Sequence, residues 1–322
     1  MAFDFRDKVL LAPMAGVTDP VMRSLCREQG ADLAYTEMVS SKGLAFANDK
    51  TRHLLDLAPG EEAVAVQLFG HEPHTMAAQG AWVQEQLGDA LAFLDINMGC
   101  PARKIVSKGD GSALMEDPSL AAAIAAAVVS AVDAPVTCKF RRGYRMGEET
   151  APEFARRLGQ TGIAAVAVHG RFAEQLYNGS SDPGAIARVK EAVALPVIGN
   201  GDIRSGADAR ALRQATGCDA VMVARAAEGN PWIFADVKAA LAGRPAPPAP
   251  TASQRIAMAR RHARALAARE GRQIVRMRKH ACWYLTGLPG AAKARGLINQ
   301  CITIDDFDGV FDEMESYAAR SL

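Results

Sequence analysis

The sequence predicts an α/β fold: a (β/α)8 TIM barrel followed by a small C-terminal helical bundle. Three features lead there. Eight short apolar runs alternate with helix-like segments, at roughly even spacing, across residues 1–243. These runs read as continuous Val, Ala, Ile and Leu, the pattern of parallel strands covered on both faces by crossover helices. Then Arg244-Pro245-Ala246-Pro247-Pro248-Ala249-Pro250 makes a stiff extended break, after which strand-like runs cease. An open doubly wound sheet competes. Eight strand–helix units over about 250 residues favour closure, and Pro13-Met14-Ala15-Gly16 is not the Gly-rich turn an open nucleotide-binding sheet carries after its first strand. The expected division is a barrel over 1–243, a Pro-rich linker over 244–251 and a helical domain over 252–322.

Each element has a local reason. Val9–Ala12 is the first strand; Thr18 or Asp19 can cap the helix that follows, since Pro20 suits a first helical turn. That helix stops at Gly30. Leu33–Val39 is the second strand and Ala63–Phe69 the third, with His74–Leu87 helical between the third and fourth. Leu91–Ile96 is the fourth strand, broken by Gly99 and Pro101, which cannot continue a central strand. Ser112–Val132 reads as one Ala-rich helix. Pro135–Phe140 and Ala164–Val168 are the fifth and sixth strands, around a helix over Pro152–Gln160. After the helix Pro183–Val193 come Pro196–Ile198, the helix Ala207–Thr216 stopped by Gly217, the last strand Asp219–Val223, and a closing helix from about Pro231 to Leu241. Beyond the linker, Thr251 or Ser253 can cap a long helix running to about Trp283, with Lys293–Cys301 and Phe307–Arg320 as further helices.

Composition narrows the function classes. Hydrophobic residues make up 49 % of the chain, enough for a sizeable core, and the net charge of +1 by itself indicates no partner. The charge is unevenly spread: residues 1–251 hold 25 Lys and Arg against 29 Asp and Glu, whereas residues 252–322 hold 12 against 7. Such asymmetry suggests nucleic-acid contact by the basic part, and a solvated basic helix is the plain alternative. The six cysteines form no CxxC pair and no Cys/His cluster has zinc-ligand spacing, so no metal is expected. This is the cysteine usage of a reducing, cytoplasmic setting. No secretory h-region opens the chain, and no apolar run approaches the ~20 residues that span a bilayer.

In a barrel the active site lies at the carboxyl ends of the strands. Here strand after strand ends in a polar side chain: Glu37, Gln67, Asn97, Lys139, His169, Asn200 and Arg225. Any one of them is explained by solvation; seven together describe a polar ring around a pocket. Cys100, between Gly99 and Pro101, has a fixed position and access to solvent. Gly199-Asn200-Gly201-Asp202 and Ala224-Arg225 follow the last two strands, where barrels commonly hold a phosphate with backbone N–H groups and helix N-termini.

These residues carry a resemblance. Pro13-Met14-Ala15-Gly16-Val17-Thr18-Asp19, Gln67, Asn97-Met98-Gly99-Cys100-Pro101, Lys139, His169-Gly170-Arg171, Asn200-Gly201-Asp202, Arg225 and Gly229-x-Pro231-Trp232-Ile233-Phe234 together resemble the tRNA-dihydrouridine synthases, closest to the bacterial B-type branch, over essentially the whole chain. The resemblance implies an FMN-dependent enzyme that reduces the uracil 5,6 double bond of tRNA uridines with NADPH, adding hydride at C6 from flavin N5 and a proton at C5. It implies that Pro13, Met14 and Ala15 line the flavin ring, that Gln67 and Lys139 bond its polar edge, and that His169, Asn200, Gly201, Asp202, Ala224 and Arg225 hold the ribityl chain and phosphate. Asn97, Arg141 and Arg171 fall on the substrate side, and Cys100 is the proton donor. An ordinary thiol, with a pKa of about 8.5, is mostly protonated at neutral pH and can act as a general acid untuned. The uracil must leave the RNA stack to be reduced, and the basic helical domain would grip tRNA phosphates; a monomer without membrane contact is expected.

Two positions depart from the family pattern. Ala224 stands where a Gly is usual, which would matter if the backbone there needed positive φ. Ser181-Asp182-Pro183 replaces a usual aromatic. Rival readings are a flavin-dependent reductase of free pyrimidines or a dihydroorotate-type dehydrogenase, a Schiff-base aldolase using Lys139, and an RNA-binding chaperone.

Overall fold

The structure, a computed structural model, describes residues 3–320. Eight parallel strands close into a barrel in sequence order: β1 (Val9–Leu11), β2 (Leu33–Ser40), β3 (Val64–Phe69), β4 (Leu91–Met98), β5 (Val136–Gly143), β6 (Ala165–Phe172), β7 (Val197–Asn200) and β8 (Ala220–Val223), with β8 pairing back onto β1. Alternate residues of each strand face inward. Leu10, Tyr35, Ala65, Phe93, Ala165, Ala167, Ile198 and Met222 fill the barrel interior, while Val66, Leu94, Ile96, Cys138, Val168 and Val221 face the helical layer. Gln67, Asp95, Asn97, Thr137, Lys139, Arg141, His169 and Asn200 share the inward parity. Pairing sets them side by side: Gln67 against Asp95, Asp95 against Thr137, Asn97 against Lys139, Arg141 against His169, and His169 against Asn200.

Several elements differ from the sequence expectation. Strands β5 and β6 run on to Gly143 and Phe172, so Arg141, His169 and Arg171 lie within strands rather than after them. The Ala-rich segment is not one helix: a single 3-10 stretch, Gly111–Met115, is separated from the helix Pro118–Ala131, whose start is set by Pro118 and by Asp117 Oδ1 accepting from Leu120 N at 3.0 Å. The long basic helix ends at Glu270, where Gly271 at φ +86° turns the chain, and a second helix, Met277–Leu285, follows. Asp19, one of the two proposed caps, does cap the helix Pro20–Glu28, its Oδ1 accepting from Val21 N and Met22 N.

Residues 244–251 carry no regular structure. Helices Ala252–Glu270, Met277–Leu285, Ala291–Ile298 and Ile304–Arg320 then share an apolar cluster of their own, which meets the barrel through Val21, Leu25 and Trp232, while Trp283 packs onto the barrel's core. Ion pairs also cross the seam between the two. Arg261 bonds Glu28 (2.6 Å), Arg269 bonds Asp56 (2.5 Å), and Arg276 bonds Glu37 (3.1 Å) and Glu270 (2.8 Å) while standing 3.8 Å from Asp19. Gly229, at φ +66°, closes the contact: a Cβ there would fall on the backbone of Trp283, so only glycine allows this approach.

Behind Arg276 lie His262 and His280, fully buried, with ring centroids 4.5 Å apart. One ring nitrogen of each and one Asp19 carboxylate oxygen lie within 4.8 Å of one another, and His262 Nε2, both His280 nitrogens and Asp19 Oδ2 have no hydrogen-bond partner among the described residues. Burial and the neighbouring Arg276 lower both imidazoles, His262 to about 3, so neither carries charge at neutral pH. Among the described residues, no helix is long and apolar enough to cross a membrane.

Candidate active site

The polar strand ends converge on a cavity of about 770 Å³ at the carboxyl mouth of the barrel, within the range of small-molecule and cofactor sites. Its wall includes Pro13, Met14, Ala15, Met38, Gln67, Asn97, Cys100, Lys139, Arg141, His169, Tyr177, Asn200, Gly201, Asp202, Met222, Ala224 and Arg225. Of the residues singled out from sequence, Arg171 lies outside this wall. So does Glu37, which accepts from Gly16 N and pairs with Arg276 at the seam.

Cys100 is held through its backbone. Asn97 Oδ1 accepts from Cys100 N (2.9 Å) and Gly99 N (3.1 Å), an Asx-type turn that caps the end of β4. Cys100 O accepts from Ser112 N (3.0 Å), so the 101–111 loop folds back beneath the thiol. Gly111 permits this: at φ +62°, a Cβ would sit 2.7 Å from Cys100 O. Arg141 adds a third tie, donating to Gly99 O at 2.9 Å and to Phe172 O and Leu176 O at 3.0 and 2.7 Å. Asn97 Nδ2 in turn donates to Gln67 Oε1 at 2.7 Å.

Positive charge gathers around this loop. Lys139 enters the cavity beside Asn97, and its ammonium makes no hydrogen bond or ion pair among the described residues. Burial and Arg141 lower it to about 8, against the opposing pull of Asp95 and of Cys100. Burial likewise lowers Arg141 to about 10. His169 is pushed well below its ordinary range by burial, with Lys139, Arg141, Arg171 and Arg225 adding to the effect. Its Nε2 lies 3.3 Å from Arg171 Nη1. A guanidinium can only donate, so Nε2 accepts and the ring proton resides on Nδ1.

Arg171, 1 % exposed, is spent on structure. It donates to Asn178 O and Gly179 O and forks onto both Asp202 oxygens at 2.8 and 2.9 Å. Burial raises the Asp202 carboxyl, but Ser181 N and Arg171 outweigh it and hold it below the ordinary range. This clamp keeps Asp202 at φ +50°, next to Gly201 at φ +133°. Ser181 Oγ, pressed against Gly201, is buried without a hydrogen-bond partner among the described residues. Ala224 has φ −119°, so replacing the family's usual Gly meets no left-handed penalty here.

Four site features escaped the sequence reading. Tyr177, 55 % exposed, lies at the cavity edge with Arg225 over its ring at 4.6 Å and Arg141 at 5.5 Å. Met38 and Met222 complete the apolar wall. Asp95 sits beneath Gln67 and is treated below. Finally, Arg103 and Lys104, on the short helix Arg103–Val106 that follows Cys100, and Lys108 just beyond it stand exposed, their side chains making no hydrogen bond or ion pair among the described residues. The arginines of the basic helices behave differently. Arg260, Arg264 and Arg272 pair with Asp308, Asp312 and Asp305 of the last helix, and Arg261 and Arg269 with the barrel.

A closed parallel barrel whose mouth gathers a thiol, an unpaired ammonium, a neutral imidazole and backbone turns into one cavity is the framework of a (β/α)8 enzyme. The chain belongs to the dihydrouridine synthase family: the family model described as Dihydrouridine synthase matches residues 10–319. It is 42 % identical over 306 residues to tRNA-dihydrouridine synthase B of Xanthomonas axonopodis pv. citri, covering 94 % of this chain and 91 % of that one. Identity to tRNA-dihydrouridine synthase B of Pseudomonas aeruginosa is 40 %, with 94 % and 92 % covered. A probable tRNA-dihydrouridine synthase of Mycobacterium tuberculosis is 38 % identical, with 95 % and 82 % covered.

Proposed function

We propose that this chain is an FMN-dependent tRNA-dihydrouridine synthase that reduces the uracil 5,6 double bond in tRNA, with NADPH as reductant and Cys100 as proton donor. The observation that carries the reading is the Cys100 thiol on the wall of a flavin-sized cavity, its backbone tied to Asn97 and its neighbours cationic.

The residues fit the cofactor. Pro13, Met14, Ala15, Met38 and Met222 offer apolar surface for a flat ring system, and Gln67, Asn97 and Lys139 offer polar groups along one side. The unpaired Lys139 ammonium lacks an anionic partner, which electron-rich flavin would supply. Arg225, with Gly201 and the partnerless Ser181 hydroxyl nearby, suits a phosphate. Asp202 does not oppose one, because Arg171 already balances it.

When bound, the flavin supplies the hydride for uracil C6. The chain's own residues do the rest. Asn97 holds the Cys100 backbone, so Sγ has one place from which to give its proton to C5. Both Lys139 and Arg141 are stabilised by negative charge at Cys100, so the thiolate left behind meets two cations before solvent restores its proton. His169, neutral with its proton on Nδ1, offers a donor without adding charge. Tyr177 gives an aromatic face at the entrance for an extruded base.

Binding of tRNA is assigned first to Arg103, Lys104 and Lys108, the exposed cations that follow Cys100 in the chain. The helical domain adds charge mainly through arginines that must leave a carboxylate to meet a phosphate. Arg103→Glu/Lys104→Glu is therefore expected to weaken tRNA binding by about tenfold or more at moderate salt and to lower the salt slope by about 2. Arg264→Ala should change both less, and filter binding across a salt series makes the comparison. A larger loss with Arg264→Ala would return the main role to the helices.

The cofactor assignment is tested by denaturing the purified protein and identifying the released chromophore by mass spectrometry. The expected result is FMN, near one per chain; a colourless protein that does not take up FMN contradicts it.

A further inference from the structure

We propose that Asp95, which touches neither cavity nor loop, is a positioning residue that sets the orientation of Gln67 and Asn97 and so holds the Cys100 turn. Its effect on catalysis rests on the function proposed above; its hold on the loop does not.

Asp95 is fully buried inside β4. One of its oxygens accepts from Gln67 Nε2 at 2.6 Å and the other from Thr137 Oγ1 at 2.5 Å. A carboxylate only accepts, so Gln67 must turn its NH2 toward Asp95 and its Oε1 away. That oxygen then requires a donor, which Asn97 Nδ2 provides at 2.7 Å. Asn97 is thereby left with Oδ1 facing the turn, where Gly99 N and Cys100 N both need an acceptor.

The order of this chain is not set by shape. Either amide can rotate by a half-turn with almost the same outline, so packing does not discriminate between the two orientations. An acceptor-only group at the far end does. Reversal of Asn97 would bring its NH2 against two N–H donors and its Oδ1 against Gln67 Oε1, breaking all three hydrogen bonds in a buried site. Gln67, Thr137 and the Lys139 ammonium on β5 favour the charged form, yet burial outweighs them and the carboxyl stands raised at about 7. The oxygen facing Gln67 accepts in either form, because a proton on the other oxygen can be given to the Thr137 hydroxyl. Tyr35 on β2 and Cys138 on β5 also lie within electrostatic reach, both held neutral.

Asp95→Asn keeps the outline and removes the bias. An Asn amide can face Gln67 with either end, and the Thr137 hydroxyl can donate or accept in response. The turn should then lose its fixed acceptor for part of the time. Peptide-resolved mass spectrometry after brief iodoacetamide treatment is expected to show Cys100 alkylated about fivefold faster than in the wild type, as befits loss of about one charge-assisted restraint. Turnover of tRNA should fall about tenfold with KM within about twofold, the pattern of a group acting on the reacting atoms rather than on binding.

Alkylation and turnover both within about twofold of wild type would overturn the proposal. So would a fall in turnover with Cys100 alkylation unchanged, since Asp95 would then act by another route. A wild-type protein inactive on tRNA would sink the function and leave the alkylation comparison standing. Should Asp95→Asn fold poorly, amide hydrogen exchange in the unaltered protein decides: Gly99 and Cys100 N–H slowed by about tenfold or more supports the fixed acceptor, and free exchange at both contradicts it.

Discussion

Cys100→Ala is expected to abolish dihydrouridine formation, with turnover lowered by at least about a hundredfold, the usual worth of a positioned general acid. The tRNA should still bind within about twofold, because no phosphate-binding side chain changes. The fold should also tolerate the change. The ties that place residue 100 run through its backbone N and O, to Asn97 and Ser112, and Ala keeps both. The thiol is only partly buried, so its removal opens no sealed cavity in the core. Cys100→Ser separates acidity from shape. A hydroxyl fits the same place but yields its proton far less readily, so Ser should rescue little of the loss. Single-turnover assays with mass-spectrometric readout of dihydrouridine make the measurement. Near-normal turnover in Cys100→Ala would assign the proton to another group.

Lys139→Met is expected to make the cofactor-free protein more stable and the enzyme worse. The sign follows from protonation. Lys139 has a native pKa of about 8, below the value near 10.4 of an unfolded lysine. Between those values the unfolded chain binds the proton and the native state does not, so stability rises with pH across that window. Below pH 8 both states are protonated and the full cost of the buried ammonium is present. Removing the charge should therefore stabilise the cofactor-free protein at pH 7 by about 2 kcal/mol, a discounted reading of the shift because the side chain is not fully enclosed. The gain should fade by about pH 10. At the same time flavin retention should weaken by about tenfold, since one charge-assisted contact is lost. Urea unfolding of the cofactor-free protein at several pH values and a flavin titration provide the two readings. A Lys139→Met protein that is less stable at pH 7, with flavin affinity intact, would remove Lys139 from the site.

Much of this arrangement was legible before the structure because it rests on local rules. Glycine and proline at 99 and 101 end a strand whatever surrounds them, and that placed Cys100 on a turn at the barrel mouth. Polar residues closing seven apolar runs likewise pointed to one converging ring; six of them line the cavity, while Glu37 turns to Arg276 at the seam. What stayed hidden depends on partners far away in the chain. Arg141 and Arg171 look like free cations in the sequence, yet they bond the carbonyls of Phe172, Leu176, Asn178 and Gly179, which become neighbours only when β5 and β6 extend beyond their apolar runs. The basic C-terminal segment looks like a phosphate-binding stripe, but carboxylates at 305, 308 and 312 in the last helix come back to meet it. Counting charges by segment cannot register that return. Asp95 passed as one residue of an apolar strand; its inward parity and its fit between Gln67 and Thr137 follow from barrel closure. The divided Ala-rich segment is different, for Asp117-Pro118 is a local start signal, overlooked under the weight of alanine on either side.

The central claim is that this cavity reduces a uracil delivered by tRNA. It is tested most directly by incubating the purified protein, supplied with FMN, with NADPH and unmodified tRNA, then digesting the RNA and measuring dihydrouridine by mass spectrometry. Dihydrouridine in the tRNA, with none formed from free uridine under the same conditions, is the result expected from a cavity whose Cys100 turn leads into the exposed Arg103, Lys104 and Lys108. No dihydrouridine in tRNA, or free uridine reduced at an equal rate, would contradict the account.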